Sequence, residues 1–132
     1  MIATASREVT PVATRQVAIV DDDAAVRDSL RFLLGVSGYD VATYESAADF
    51  LARCDRSFLA GLILDHHMPQ VTGLELAARL RAQGDALPIM LITGSSSPAI
   101  AARAKALGIA QVLEKPPAEQ ELLRFVAAAL GD

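Results

Sequence analysis

The segment "LILDHHMPQ", residues 62–70, runs an apolar stretch into a single aspartate, Asp65, and then breaks at two histidines and a proline. An apolar run without polar alternation fits a strand covered on both faces, as in a parallel sheet, with Asp65 at its carboxyl end. Strand terminator, metal ligand and reactive carboxylate are all compatible with that place. Which role holds depends on what the rest of the chain delivers to the same edge.

Working outward, "GLILD" (61–65) has counterparts in "QVAIV" (16–20), "PIMLIT" (88–93) and "AQVLEK" (110–115). "YDVATY" (39–44) is more polar and rich in β-formers, which suits an edge strand. Helical patterns lie between these runs. Val26, Leu30 and Leu33 share one face, with Arg27, Asp28 and Arg31 turned away, and Leu76 with Leu80 repeats the pattern. So do Ile100, Ala104 and Leu107, and then Leu122, Val126 and Leu130, while "SAADFLARC" (46–54) supplies a shorter helix. Ser46 and Ser97 are N-cap residues with Pro98 at a first helical position, and Gly84 and Gly108 fall where helices should stop. The order is five βα units, an α/β fold with an open, doubly wound parallel sheet and helices on both faces.

The totals agree with one globular domain: 132 residues, 52% hydrophobic and 21% charged. A net charge of −4 argues against a nucleic-acid surface, which needs clustered Lys and Arg. The single Cys54 reads as a small buried apolar residue and suits a reducing compartment. No segment has the length of a signal peptide's apolar region or of a membrane span, so the expected location is cytoplasmic, with no membrane contact. Residues 1–15 are expected to be a flexible lead-in and residues 16–132 the domain.

Ligands of such sheets sit beyond the carboxyl ends of the strands. There the sequence places Asp21, Asp22 and Asp23, then Asp65, Thr93 and Lys115. Crowded carboxylates stay ionised only beside a cation, and all-oxygen ligands favour Mg²⁺ over zinc or copper. A lysine ammonium and a threonine hydroxyl suit phosphoryl oxygens. Together these groups make a phosphoryl-transfer site, and without a Walker-type glycine loop the phosphoryl group is expected from another protein, with Asp65 as acceptor.

With these residues in order, the chain resembles the receiver domain of bacterial two-component response regulators, particularly the FixJ-like subfamily. "VAIVDDDAAVRDSL" is similar to the acidic-pair motif and "LILDHHMPQVTGLEL" to the phosphoacceptor motif, with its D-x-x-M-P-x-x-[TS]-G form. "LPIMLITG" is similar to the threonine strand, "LEKP" to the lysine–proline motif, and "YESAADFL" has the look of the subfamily. The likeness covers about residues 16 to 130. It implies a flavodoxin-like (βα)5 sheet of strand order 2-1-3-4-5, with Asp65 phosphorylated by a sensor histidine kinase or a histidine phosphotransfer protein. It further implies that Asp22 ligates Mg²⁺ directly, Asp21 through water, and Asp65 and the His67 carbonyl beside them. Thr93 and Lys115 then hold phosphoryl oxygens, Lys115–Pro116 is a cis peptide, and the protein catalyses its own phosphorylation and dephosphorylation. Side chains at His67 and Ser95 tune hydrolysis of the aspartyl phosphate, and His67 is expected to make that lifetime pH-dependent.

Plainer readings exist for single residues. Asp23 reads as a helix cap; Lys115 alone is an ordinary solvated lysine and Thr93 alone a strand residue. His66 and His67 diverge at a strand end and lack a third histidine or a cysteine nearby, which argues against zinc; His66 is expected to be partly exposed or packed on a neighbouring helix. Val112 stands where many receivers carry a switch aromatic, and "KPP" replaces the commoner lysine–proline–aromatic, which puts the usual readout in question. The last helical pattern closes in "AAALGD", so the expectation is a single-domain form that signals by docking to a downstream protein or by onward relay, with a homodimer surface on the last two helices and fifth strand. The alternative is a receiver-fold interaction module working largely without phosphorylation. An aspartyl phosphatase or dehalogenase would need an acid at position 67 and a cap domain.

Overall fold

In strand β1, Gln16–Val20, alternate residues serve two separate cores: Val17 and Ile19 pack in one apolar cluster, Ala18 and Val20 in the other. This is why the strand needs apolar residues at every position. The same holds for β3 (Leu59–Asp65) and β4 (Ile89–Thr93), both buried throughout. The polar "YDVATY" run becomes β2 (Val41–Tyr44), and β5 (Gln111–Glu114) completes a parallel sheet of five strands in the order β2-β1-β3-β4-β5. That is the expected order, with β2 at an edge. The computed structural model describes residues 15–131, so the lead-in expected over residues 1–15 lies, Arg15 apart, outside the described residues.

Helices α1 (Ala24–Val36) and α5 (Glu119–Leu130) cover one face through Leu30, Leu34, Leu122, Phe125 and Val126. The other face carries α2 (Ala47–Arg53), α3 (Gly73–Ala82) and α4 (Pro98–Ala106), through Phe50, Leu74, Leu76, Leu80 and Ala104. Ser46 caps α2 and Ser97 caps α4, with Pro98 in its first turn. Gly84 and Gly108 take left-handed φ values of 79° and 67° just past α3 and α4, as the expected stops require.

Some boundaries differ from the sequence reading. Pro88 drops out of β4, but its carbonyl still accepts from Leu62 N at 2.9 Å, so the ladder starts where the ring allows. A short 3₁₀ turn, Arg56–Phe58, capped by Asp55, leads into β3 and was not anticipated. Among the described residues, no helix is long and apolar enough to cross a membrane.

Register brings the strand ends level. Val20 pairs with both Tyr44 and Leu64, Asp65 with Ile92, and Thr93 with Glu114. Backbone bonds carry the ladder one step further, from His66 N to Ile92 O (2.8 Å) and from Lys115 N to Thr93 O (2.9 Å). Asp21, Asp65, Thr93 and Lys115 therefore leave one edge of the sheet together.

Candidate functional site

The acidic loop after β1 is held by its own hydrogen bonds. Asp21 is buried, and its Oδ1 accepts from Asp23 N at 2.9 Å. Asp23 caps α1, accepting from Ala25 N at 2.9 Å, which is the role its spacing suggested. The expectation that Arg27 turns away from the fold is corrected: its Nη1 donates to the carbonyl of Asp21 at 2.7 Å and it is half-buried. A helical wheel assigns Arg27 to the polar face, but that face begins beside the acidic loop, within reach of a long side chain.

Asp65 ends β3 at 2% exposure. Its Oδ1 faces Lys115 Nζ at 3.1 Å and His67 N at 3.4 Å, whereas its Oδ2 is buried and has no hydrogen-bond partner. Lys115 also reaches Asp21 Oδ2 at 3.6 Å. Partial burial would pull the lysine pKa down, but the carboxylates of Asp65 and Asp21 outweigh it and the net direction is up. Burial drives the Asp21 carboxyl up, and Asp65 adds to this, against the lowering effect of the Asp23 amide and Lys115. The Lys115–Pro116 bond is cis, as expected.

One residue the sequence reading left without a role is Gly73, at the start of α3. A Cβ there would lie 2.5 Å from the Asp65 carbonyl oxygen and 2.9 Å from both His66 Cα and Leu91 Cδ1. Only a glycine lets α3 begin this close to the end of β3, and its N–H bonds back to His66 O at 3.1 Å. Thr72 and Glu75 cap the same helix reciprocally, a signal legible as T-x-x-E.

Thr93 is fully buried at the end of β4. Its hydroxyl donates to Ser95 O at 3.1 Å, accepts from Ser95 N at 3.2 Å, and lies 2.8 Å from Nε2 of His67. His67, read from sequence as a neighbour of the acceptor, is thus also a partner of Thr93. His66 is half-buried, as expected, with a buried Nδ1 that lacks a partner, and burial together with His67 holds its pKa low. Val112 pairs with Leu91 in the sheet and packs, half-buried, on the same core as Ile100 and Leu107. Cys54 is a free, half-buried thiol at the end of α2.

Among the described residues, the cluster able to hold a metal ion is Asp21, Asp22 and Asp65, whose carboxylate oxygens lie within 4.8 Å of one another. Neither histidine belongs to it. Two buried carboxylates, an exposed third and the unpartnered Oδ2 of Asp65 fit a hard divalent cation, which takes oxygen ligands and keeps water on its open side. Beside that cluster stands the Lys115 ammonium, in reach of two of its members, Asp65 and Asp21. A metal ion and an ammonium side by side can neutralise the charge of a phosphoryl group.

Comparison with known proteins agrees with this geometry. The sequence profile of the response regulator receiver domain matches residues 17–127. The chain is 36% identical over 112 residues to the transcriptional regulatory protein FixJ of Bradyrhizobium diazoefficiens, covering 85% of this chain and 55% of that protein. It is 43% identical over 116 residues to the transcriptional regulatory protein TdiR of Thauera aromatica, covering 87% of this chain and 51% of the relative. The chain thus spans about half the length of these relatives. The crystal structure of FixJ-N superposes with a TM-score of 0.78 at 31% identity, covering 89% of this chain and 94% of that one. Fold, strand-end residues and relatives converge: the chain belongs to the response regulator receiver domain family of two-component signalling proteins.

Proposed function

We propose that residues 16–132 act as a phosphoryl-acceptor switch in which Asp65 takes a phosphoryl group from the phosphohistidine of a sensor kinase or histidine phosphotransfer protein. Receiver domains of response regulators are phosphorylated by histidine kinases as a family. In this reading the P–N bond of the donor breaks, an Asp65 oxygen bonds to phosphorus, and the donor imidazole leaves with a proton. The observation that carries it is the buried Asp65 carboxylate, held at 3.1 Å by Lys115 on one oxygen and without a hydrogen-bond partner on the other, beside two further carboxylates.

Asp21, Asp22, Asp65 and the His67 carbonyl would hold Mg²⁺, which supplies charge neutralisation for the phosphoryl oxygens. Lys115 and Thr93 would hold the remaining oxygens, and His67 and Ser95, both beside the Thr93 hydroxyl, would set how water reaches the aspartyl phosphate. The protein would in this sense catalyse its own phosphorylation and dephosphorylation. Output passes by a changed docking surface of this domain, read by a downstream protein, or by onward relay, in the cytoplasm; homodimerisation and the absence of direct nucleic-acid contact belong to the same reading. A module that works without phosphorylation is not favoured, because two further carboxylates and the Lys115 ammonium stand beside Asp65.

The test is intact mass after incubation with a small-molecule phosphodonor, with and without Mg²⁺, for wild type and Asp65→Asn. A single Mg²⁺-dependent phosphoryl adduct, lost in the variant, is the expected result. No adduct from small donors or from a panel of histidine kinases would overturn the reading.

A further inference from the structure

Thr93 has more hydrogen-bond partners than a hydroxyl that is free to act. A threonine hydroxyl offers one proton and two lone pairs. Here the Ser95 carbonyl lies 3.1 Å away, the Ser95 amide 3.2 Å, and His67 Nε2 2.8 Å. One assignment satisfies all three contacts: the proton goes to Ser95 O, and the lone pairs accept from Ser95 N–H and from His67 Nε2–H. The oxygen is then saturated. It has no proton left for a phosphoryl oxygen unless this set is rearranged.

The two residues that saturate it differ in kind. Ser95 follows Thr93 in the same loop, and its bonds move with that loop. His67 comes from the other side, on the loop between β3 and α3 that carries the acceptor aspartate, and its exposed ring caps a hydroxyl that is itself fully buried. The shortest of the three contacts therefore ties the acceptor loop to the β4–α4 loop, whose amide at Ser96 is in turn held by Glu114 Oε2 at 3.0 Å. This contact adds a side-chain link to the backbone bond from His66 N to Ile92 O that joins the same two strand ends.

We propose that His67 is a positioning residue that latches Thr93 in the resting state, so that loading of Asp65 breaks the His67–Thr93 hydrogen bond that holds the hydroxyl in place and turns the Thr93 proton from Ser95 O to a phosphoryl oxygen. The proposal rests on the acceptor reading above and adds a named restraint on the Thr93 hydroxyl. The latch opposes loading: it stabilises the empty state and is lost in the loaded one.

The test is a double-mutant cycle on binding of beryllofluoride, a tetrahedral stand-in for an acyl phosphoryl group, by calorimetry in excess Mg²⁺. The proteins are wild type, His67→Ala, His67→Gln, Thr93→Ala and the His67→Ala/Thr93→Ala pair, with thermal unfolding to verify that each is folded. His67→Ala is expected to bind roughly 2- to 10-fold tighter than wild type, the span of one net hydrogen bond. His67→Gln, whose amide can still donate, should stay near wild type, and in the Thr93→Ala background the His67→Ala change should vanish. Unchanged or weaker binding by His67→Ala, or the same tightening without Thr93, overturns the latch. Absence of Mg²⁺-dependent binding by the wild type would instead overturn the acceptor reading on which the latch rests.

Discussion

The Lys115 ammonium stands 3.1 Å from Oδ1 of Asp65, so this buried carboxylate already has a counter-ion on one side. Lys115 and a divalent cation draw on the same negative charge, and each weakens the site's attraction for the other. Lys115→Met is therefore expected to bind Mg²⁺ several-fold more tightly while forming the phosphoryl adduct more slowly, on the order of 100-fold, the usual effect of removing a donor aimed at developing charge. Calorimetric Mg²⁺ titration and timed intact mass measure the two quantities separately. If both fell together, Lys115 would be holding the loop in shape rather than supplying charge.

The acidic cluster predicts a stabilising response to Mg²⁺. Three carboxylates within 4.8 Å repel one another until a cation joins them, and a ligand bound only by the folded state adds about 2.7 kcal/mol at 100 times its Kd. The midpoint of urea unfolding should rise with added Mg²⁺ and not with Na⁺ at equal ionic strength. Asp22 is exposed, so Asp22→Asn should fold normally and lose most of that rise. A rise that survives in Asp22→Asn would place the cation elsewhere.

Two glycines that look alike in the sequence should behave oppositely. Gly73 presses on the Asp65 carbonyl, where a Cβ would meet backbone at 2.5 Å, whereas nothing lies within 4 Å of the same position at Gly35 in α1. Gly73→Ala is expected to cost roughly 1–3 kcal/mol by overpacking and to slow adduct formation by shifting Asp65. Gly35→Ala should stabilise by roughly 0.5–1 kcal/mol, because a helix interior prefers alanine. Urea unfolding of the two variants decides it, and a neutral Gly73→Ala would mean that α3 can retreat from β3.

What the sequence made legible follows from distance along the chain. Unbroken apolar runs announced β1, β3 and β4 because residues such as Val17 and Ala18 must each fill a different core. Asp21, Asp65, Thr93 and Lys115 could be placed at one edge because each is the last or next residue of its strand. The missed features depend on contacts between distant elements. Arg27 reaching the Asp21 carbonyl, Gly73 pressed on Asp65, and His67 on the Thr93 hydroxyl all depend on how close two elements pack, which no local pattern encodes.

The cap of α3 should give a defined acid response. Glu75 Oε1 accepts from Thr72 N at 2.8 Å, and these bonds to Thr72 hold its carboxyl below the usual 4.5. A carboxylate lowered in the folded state binds fewer protons there than in the unfolded chain. Its contribution is thus complete above pH 4.5, and it is lost as pH falls through the lowered folded value. Glu75→Ala should accordingly be less stable than wild type at pH 7, with the gap closing as the solution is acidified below pH 4.5. Glu75→Gln, which keeps an acceptor but no titrating group, should show a gap with little pH dependence of its own below pH 7 beyond the wild-type change. Parallel urea titrations at neutral and acid pH check this, and a Glu75→Ala deficit that stayed constant into acid would assign the loss to cap contacts that do not need the ionised carboxylate.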